Sequence, residues 1–227
     1  MEQNSRIIAI IGCGRMGSLL ADKLSRHYQL YVYDQLPENA ERLSRSCGAL
    51  IAGKDDLKKA EIIILALATE VIPKAIAELE EYLTEEAILV NIATTFPHCE
   101  VNTKLKKVSA KIVGHAKEMA LGEKPVIIVE SDNLEARTII KEVFLHIGSV
   151  LEGQTDIVSK INTISSKYGI LAALEVKNAL QELNLSEEII TAAIRNVTAG
   201  TMKAFAIGDV GPFAQAIIDK YEKGGHV

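Results

Sequence analysis

The sequence predicts an α/β domain built on a parallel sheet, followed by a smaller all-helical C-terminal domain. Three observations predict it. Short β-type runs alternate with amphipathic helical stretches over the first two thirds of the chain, a glycine-rich turn stands between the first run and the first helix, and strands vanish after Glu152-Gly153-Gln154. Each parallel strand pair needs a crossover element, so the alternation reads as a parallel sheet.

Taken in order, residues 7–11 form a buried strand, 16–26 a helix, 29–33 a strand and 37–47 a helix with Pro37 near its start and Gly48 past its end. Strands follow at 49–51, 62–67, 88–92, 111–113 and 126–129, with a helix at 71–82. Asp132-Asn133-Leu134-Glu135 has the form of a capping box for a helix that runs to about 147 and stops at Gly148; residues 149–151 close the sheet. Beyond it, Ile157, Ile161, Ile164, Tyr168, Leu171 and Leu174 recur at spacings of four and three, which predicts a long helix over 155–183. Ser186, with Glu187 and Glu188 behind it, caps a helix that reaches about 206, and 213–221 forms a last short one. The division expected is therefore 1–153 and 154–227. Apolar residues on more than one face of 155–183 predict burial against a second copy of the chain, a homodimer.

Composition narrows the function. The 227 residues are 48% hydrophobic and 24% charged, with a formal charge of -5, 4% aromatics and no Trp, which offers neither a basic stripe nor a stacking platform for nucleic acid. Three cysteines, Cys13, Cys47 and Cys99, show no C-x-x-C spacing, so the expectation is a reducing, cytoplasmic setting without a zinc site. The apolar run 62–68 is too short to cross a bilayer, and 1–6 lacks a signal-peptide core. His98, Cys99 and Glu100 are metal-capable types, but three consecutive residues rarely converge on one ion, so no metal is expected.

Gly12-Cys13-Gly14-Arg15-Met16-Gly17 is a G-x-G-x-x-G turn in the strand-to-helix context that gives the pattern its meaning. Gly12 permits the tight turn, Gly14 lets a pyrophosphate approach the backbone, and Gly17 lets the helix sit against the strand. Asp34 ends the second strand, where a carboxylate accepts from ribose hydroxyls. Together these predict a Rossmann dinucleotide-binding domain for NAD or NADP, with NAD favoured because no Arg or Lys adjoins Asp34 to receive a 2′-phosphate. Arg15 and Arg42 are the nearby arginines able to reverse that preference. Cys13 reads as a small buried filler, although a helix N-terminus can lower a thiol pKa.

The segment from Ile10 through Gly12-Cys13-Gly14-Arg15-Met16-Gly17 to Ala21 resembles the N-terminal domain shared by pyrroline-5-carboxylate reductases, coenzyme F-420-dependent NADP oxidoreductases and relatives in the 6-phosphogluconate dehydrogenase-like superfamily, over roughly residues 6–150. The helical tail is similar in layout to the reductase dimerisation domain. Ile164-Ser165-Ser166-Lys167-Tyr168 stands in the place of that family's Ser-Gly-Ser-Gly-Pro-Ala-Tyr turn, without its Gly and Pro, and Ala68-Thr69 replaces its Lys-Pro. The resemblance implies an NAD(P)-dependent oxidoreductase acting on a small imino, keto or hydroxy acid. A partial similarity to prephenate and arogenate dehydrogenases lies in Val113-Gly114-His115 with Gly122-Glu123-Lys124, where Ala116 replaces a Pro, and in Asn91-Ile92-Ala93-Thr94. It implies a catalytic position for His115. A dinucleotide-binding regulator without turnover remains the alternative of another class.

In an open α/β sheet the ligand lies beyond the carboxyl ends of the strands. Ala68, Thr69, Asn91, Ala93 and Thr94 are therefore further candidate cofactor contacts, and His115 and Lys117 candidate proton carriers, His115 the better because its ordinary pKa lies near neutrality. On the long helix, Asn162, Ser165 and Ser166 share a face that can form a polar window onto a substrate, and Ser165 is the third catalytic candidate.

Overall fold

The structure is a computed structural model that describes residues 4–224. The chain divides into two compact units, 1–162 and 163–227. The first contains β1 (Asn4–Ile11), α1 (Arg15–Leu24), β2 (Tyr28–Tyr33), α2 (Pro37–Cys47), β3 (Leu50–Ile51), β4 (Ile62–Leu65), α3 (Ile72–Leu79), β5 (Ile88–Asn91), β6 (Lys106–Val113), α4 (Ala116–Ala120), β7 (Val126–Glu130), α5 (Leu134–Leu145), β8 (Ser149–Glu152) and the first turns of α6 (Ile157–Gln181). The strands form one sheet in the order β3-β2-β1-β4-β5-β6-β7-β8. This order, reversing direction of growth between β1 and β4, is the doubly wound arrangement that leaves a crevice at the strands' carboxyl ends.

Residues 7–11 of β1, all of β4 and 88–90 of β5 are apolar at every position because both faces are covered. Ile8 and Ile10 of β1 enter one core with Leu20 and Leu24 of α1, Leu43 of α2 and Ile140 and Phe144 of α5. Ala9 and Ile11 enter the other with Ile63 and Leu65 of β4, Leu89 of β5 and Ile72, Ile76 and Leu79 of α3. Alternate side chains of one strand thus serve opposite layers.

The structure departs from the sequence reading at four places. The sheet is not wholly parallel: β7 runs antiparallel to β6, with Val113 opposite Val126. The link between them carries only the five-residue α4, so no full crossover is made. β6 starts at Lys106 rather than at 111; Lys106, Lys107 and Ser109 interrupt the apolar run and conceal the strand. The cap of α5 is Asn133, whose side chain accepts from Ala136 N at 2.9 Å, and not Asp132, which lies one residue before the cap. The helix at 71–82 is α3 flanked by single 3₁₀ turns at Thr69–Val71 and Glu80–Tyr82.

The second unit continues α6 and adds α7 (Glu187–Ala192), α8 (Ala199–Ile207) and α9 (Pro212–Glu222). Ser186 caps α7, accepting from Ile189 N. Between α7 and α8 the helix does not break; a π-helical stretch, Ala193–Thr198, joins them, and Gly208 at φ 74° ends the run. Among the described residues of this unit, Ile190 is the one fully buried apolar side chain, while Ile164, Tyr168, Leu174, Phe205 and Phe213 stand exposed.

Candidate dinucleotide site

The turn after β1 is built by what its glycines exclude. Gly12 has φ +98°, and a Cβ on it would come 2.5 Å from Ala66 O; its N–H donates to Tyr33 O at 2.8 Å, which fixes the end of β1 against β2. A Cβ on Gly17 would come 1.9 Å from Gly12 O, so α1 can pack this closely only with glycine there. Gly14 is different. A Cβ on it would meet nothing within 4 Å, and its surface is exposed. Gly14 is thus required by no protein neighbour, and the open side it presents is where a phosphate would approach the backbone. Ser18 N is the first amide of α1 to close a helical bond, onto Gly14 O at 2.9 Å, so the amides of Arg15, Met16 and Gly17 precede the hydrogen-bonded ladder at the positive end of the helix.

Asp34 braces this turn from β2. One carboxylate oxygen accepts from Cys13 N at 2.7 Å; the other accepts from Leu36 N at 2.9 Å and from Asn39 Nδ2 at 3.3 Å. Burial pushes the Asp34 carboxyl up, but these donors and the Arg42 charge outweigh it and hold the carboxyl below the usual carboxylate range. The sequence reading gave Asp34 the ribose alone, whereas its first partners are the glycine turn and its own loop. A carboxylate has about four acceptor sites, so three such bonds leave room for one more donor. Cys13 itself is fully buried, and burial, followed by the Asp34 charge, pushes its thiol up to about 11. The helix N-terminus does not activate it. Arg42 Nη2 lies 3.5 Å from Cys13 O, and Arg15 is exposed.

Beside the turn, a cavity of about 190 Å³ is lined by Gly12, Tyr33, Asp34 and Gln35 on one side and by Leu67, Val71, Lys74 and Glu78 on the other. Its walls are the carboxyl ends of β1, β2 and β4 and one face of α3. Lys74 and Glu78 pair across one turn at 3.5 Å, so two carboxylates and one ammonium face this space.

Farther along the same edge, Ala68 is exposed and Thr69 half-buried; Thr69 Oγ1 and Thr95 Oγ1 are 2.6 Å apart, tying the loop after β4 to the loop after β5. Ala93 is buried and Thr94 partly exposed. Asn91 is corrected as a direct contact. It is fully buried, its Nδ2 donates to Phe96 O and its Oδ1 accepts from Ala93 N, both at 3.0 Å, so it shapes the loop from within. His115 and Lys117 are exposed on the turn from β6 into α4; His115 O accepts from Met119 N, and its ring makes no hydrogen bond with the described residues. Asn162 is the last residue of the first unit. Its Nδ2 donates to Ile112 O at 3.1 Å, anchoring α6 to β6, while Ser165 and Ser166 are exposed in the second unit.

The sequence reading missed Lys111, whose side chain is 1% exposed and donates to Asp156 Oδ1 at 3.2 Å. A lysine inside the run Val108-Ser109-Ala110-Lys111-Ile112-Val113 is a signal once the strand is known to start at Lys106. Among the described residues no group of three metal-capable side chains gathers, and no helix is long and apolar enough to cross a membrane.

Fold and glycine turn together define a Rossmann-type nucleotide-binding domain. Residues 7–95, the part of the chain that builds the turn, the Asp34 brace and the cavity, match the family model of NADP oxidoreductase coenzyme F420-dependent proteins. No curated protein matches the chain. Solved structures match over nearly its whole length. A pyrroline-5-carboxylate reductase from Coxiella burnetii is 16% identical, with 97% of this chain and 92% of that one covered at a TM-score of 0.71. The Plasmodium falciparum pyrroline carboxylate reductase with NADP bound is 15% identical over 98% and 91%, at 0.64. A semialdehyde dehydrogenase NAD-binding protein from Cupriavidus necator, in complex with calcium and NAD, is 18% identical over 97% and 91%, at 0.70. At such identities the shared property is the fold. The resemblance read from the glycine segment is thereby borne out: in sequence by the oxidoreductase model, in fold by the reductases.

Proposed function

We propose that the protein is an NAD(P)-dependent oxidoreductase that transfers hydride between a nicotinamide and a small imino, keto or hydroxy acid. The observation that carries the reading is Gly14, open toward solvent between two glycines that the fold itself requires. Asp34 and Gln35 would receive the adenosine ribose, the amides at the start of α1 the pyrophosphate, and the hydroxyls of Thr69 and Thr94 the nicotinamide end, since the ends of β2, β1, β4 and β5 lie in that order along the carboxyl edge of the sheet. When bound, the cofactor supplies or accepts the hydride. His115, exposed after β6, is the proton carrier for the substrate heteroatom, with Lys117 and Ser165 as further candidates.

Asp34 and Glu78, set against Lys74 in the adenosine cavity, favour a free ribose hydroxyl over a 2′-phosphate. The exposed apolar side chains of the second unit, with Ile190 its one fully buried apolar residue among those described, support a homodimer.

Titration of the protein with NADH and NADPH at one ionic strength tests the cofactor reading. NADH binds more tightly, and Asp34→Ala erases the preference; tighter NADPH binding, or a preference untouched by the substitution, removes Asp34 as the selecting group. Once a substrate is in hand, His115→Asn lowers kcat about a hundredfold and leaves NADH affinity unchanged, the loss expected of a proton carrier; full activity removes His115 from the reaction. Sedimentation at micromolar concentration gives twice the 24.7 kDa chain mass; a monomer contradicts the homodimer.

A further inference from the structure

A second cavity, of about 280 Å³, opens where the carboxyl ends of β5 and β6 meet the start of α6. Thr94 and Thr95 line it from the loop after β5, Lys111 from β6, and Asp156, Ser159 and Lys160 from the entry and first turn of α6. We propose that this cavity is a carboxylate-binding site in which Lys111 and Lys160 supply the charge and Thr94 and Ser159 the hydroxyl donors.

Lys111 carries the argument. Lysine is almost never fully buried unless paired, because taking an ammonium out of water is costly. Here the side chain is 1% exposed, yet its one ionic partner, Asp156, is 63% exposed and free to turn toward water. Of three N–H donors, that bond uses one. A buried ammonium facing a cavity, with a single displaceable counter-ion, is an arrangement that an incoming anion completes. Lys160 offsets the Asp156 charge, so with Lys111 the lining carries two ammonium groups against one carboxylate, at the N-terminal end of the 25-residue α6. The hydroxyls of Thr94 and Ser159 add short donors suited to carboxylate oxygens.

The position also fits. Thr95 lines this cavity and is hydrogen-bonded to Thr69, which ends the loop after β4 beside the glycine turn. The cavity therefore lies on the β5–β6 side of the Asp34 cavity along the carboxyl edge, the side where a dinucleotide running from β2 over β1 would place its nicotinamide. That the anion is the substrate's own carboxylate rests on the dinucleotide reading; that the cavity takes a carboxylate does not.

The test uses pyruvate and its uncharged methyl ester as probes of the full-length protein, with binding followed by ligand-observed NMR in the presence and absence of NADH. Pyruvate binds at least tenfold more tightly than the ester, and both Lys160→Met and Lys111→Met shrink that ratio toward one, roughly the loss of a charge-assisted contact. A purely structural role for Lys111 lowers both affinities together and leaves the ratio, and Lys160→Met, on the helix surface, supplies the answer if Lys111→Met does not fold. Equal binding of acid and ester, no binding of pyruvate, or a ratio unchanged in both variants overturns the site. Failure of NADH to bind the wild type contradicts the dinucleotide reading instead, and leaves the pyruvate comparison without NADH to decide the anion site.

Discussion

The Asp34 carboxylate accepts from Cys13 N, Leu36 N and Asn39 Nδ2, and through the first of these the end of β2 holds the turn after β1 in place. The turn is otherwise expensive. It has a positive φ at Gly12, a helix pressed against it at Gly17, and leading amides of α1 that come before the first bond of the helix ladder. Hydrogen bonds to a charged acceptor are worth about 1.5–3 kcal/mol, more than neutral ones, so an ionised Asp34 is a fitting anchor for so irregular a segment. Its depressed pKa is the same statement in another form. Because the folded value lies below the unfolded one, the stabilisation is present above the unfolded carboxylate range and is lost as pH falls through the folded pKa.

One residue therefore holds the turn and borders the cavity beside it. The carboxylate that holds the turn also lends its charge to the neighbouring space, so in the proposed reading binding geometry and cofactor choice are coupled. Cys13 sits at the join, its amide given to Asp34 and its thiol buried and held in the protonated form by burial and by that same negative charge. A bulky or ionised side chain there would disturb the brace, which explains a small, inert residue at a position that sequence context marks as reactive.

Most of the nucleotide-binding half was legible because its signals are local. The glycine spacing, the Asp at the end of β2, the Pro37 start and Gly48 stop of α2 and the apolar runs of β1, β4 and β5 each declare themselves within a few residues. What was not legible depends on partners distant in sequence. Lys111 is interpretable only with Asp156, forty-five positions away; Asn162 only with Ile112; and the antiparallel direction of β7 only with its register against β6. Asn91 illustrates the converse case. Its position after a strand marked it as a ligand contact, but short-range hydrogen bonds to Ala93 and Phe96 turn the amide inward. The Asn133 cap escaped for a similar reason, since Asp132 and Asn133 are both good caps and one residue of chain path separates them.

The central claim is that the glycine turn is assembled before any ligand arrives, with Cys13 N–H committed to Asp34 and the next amides left for phosphate. Residue-resolved amide hydrogen exchange tests it directly. In the free protein the Cys13 amide is protected while those of Arg15, Met16 and Gly17 exchange quickly, and NADH protects these three without altering Cys13. A Cys13 amide that exchanges as fast as its neighbours, or that gains protection only when NADH is added, would contradict the account.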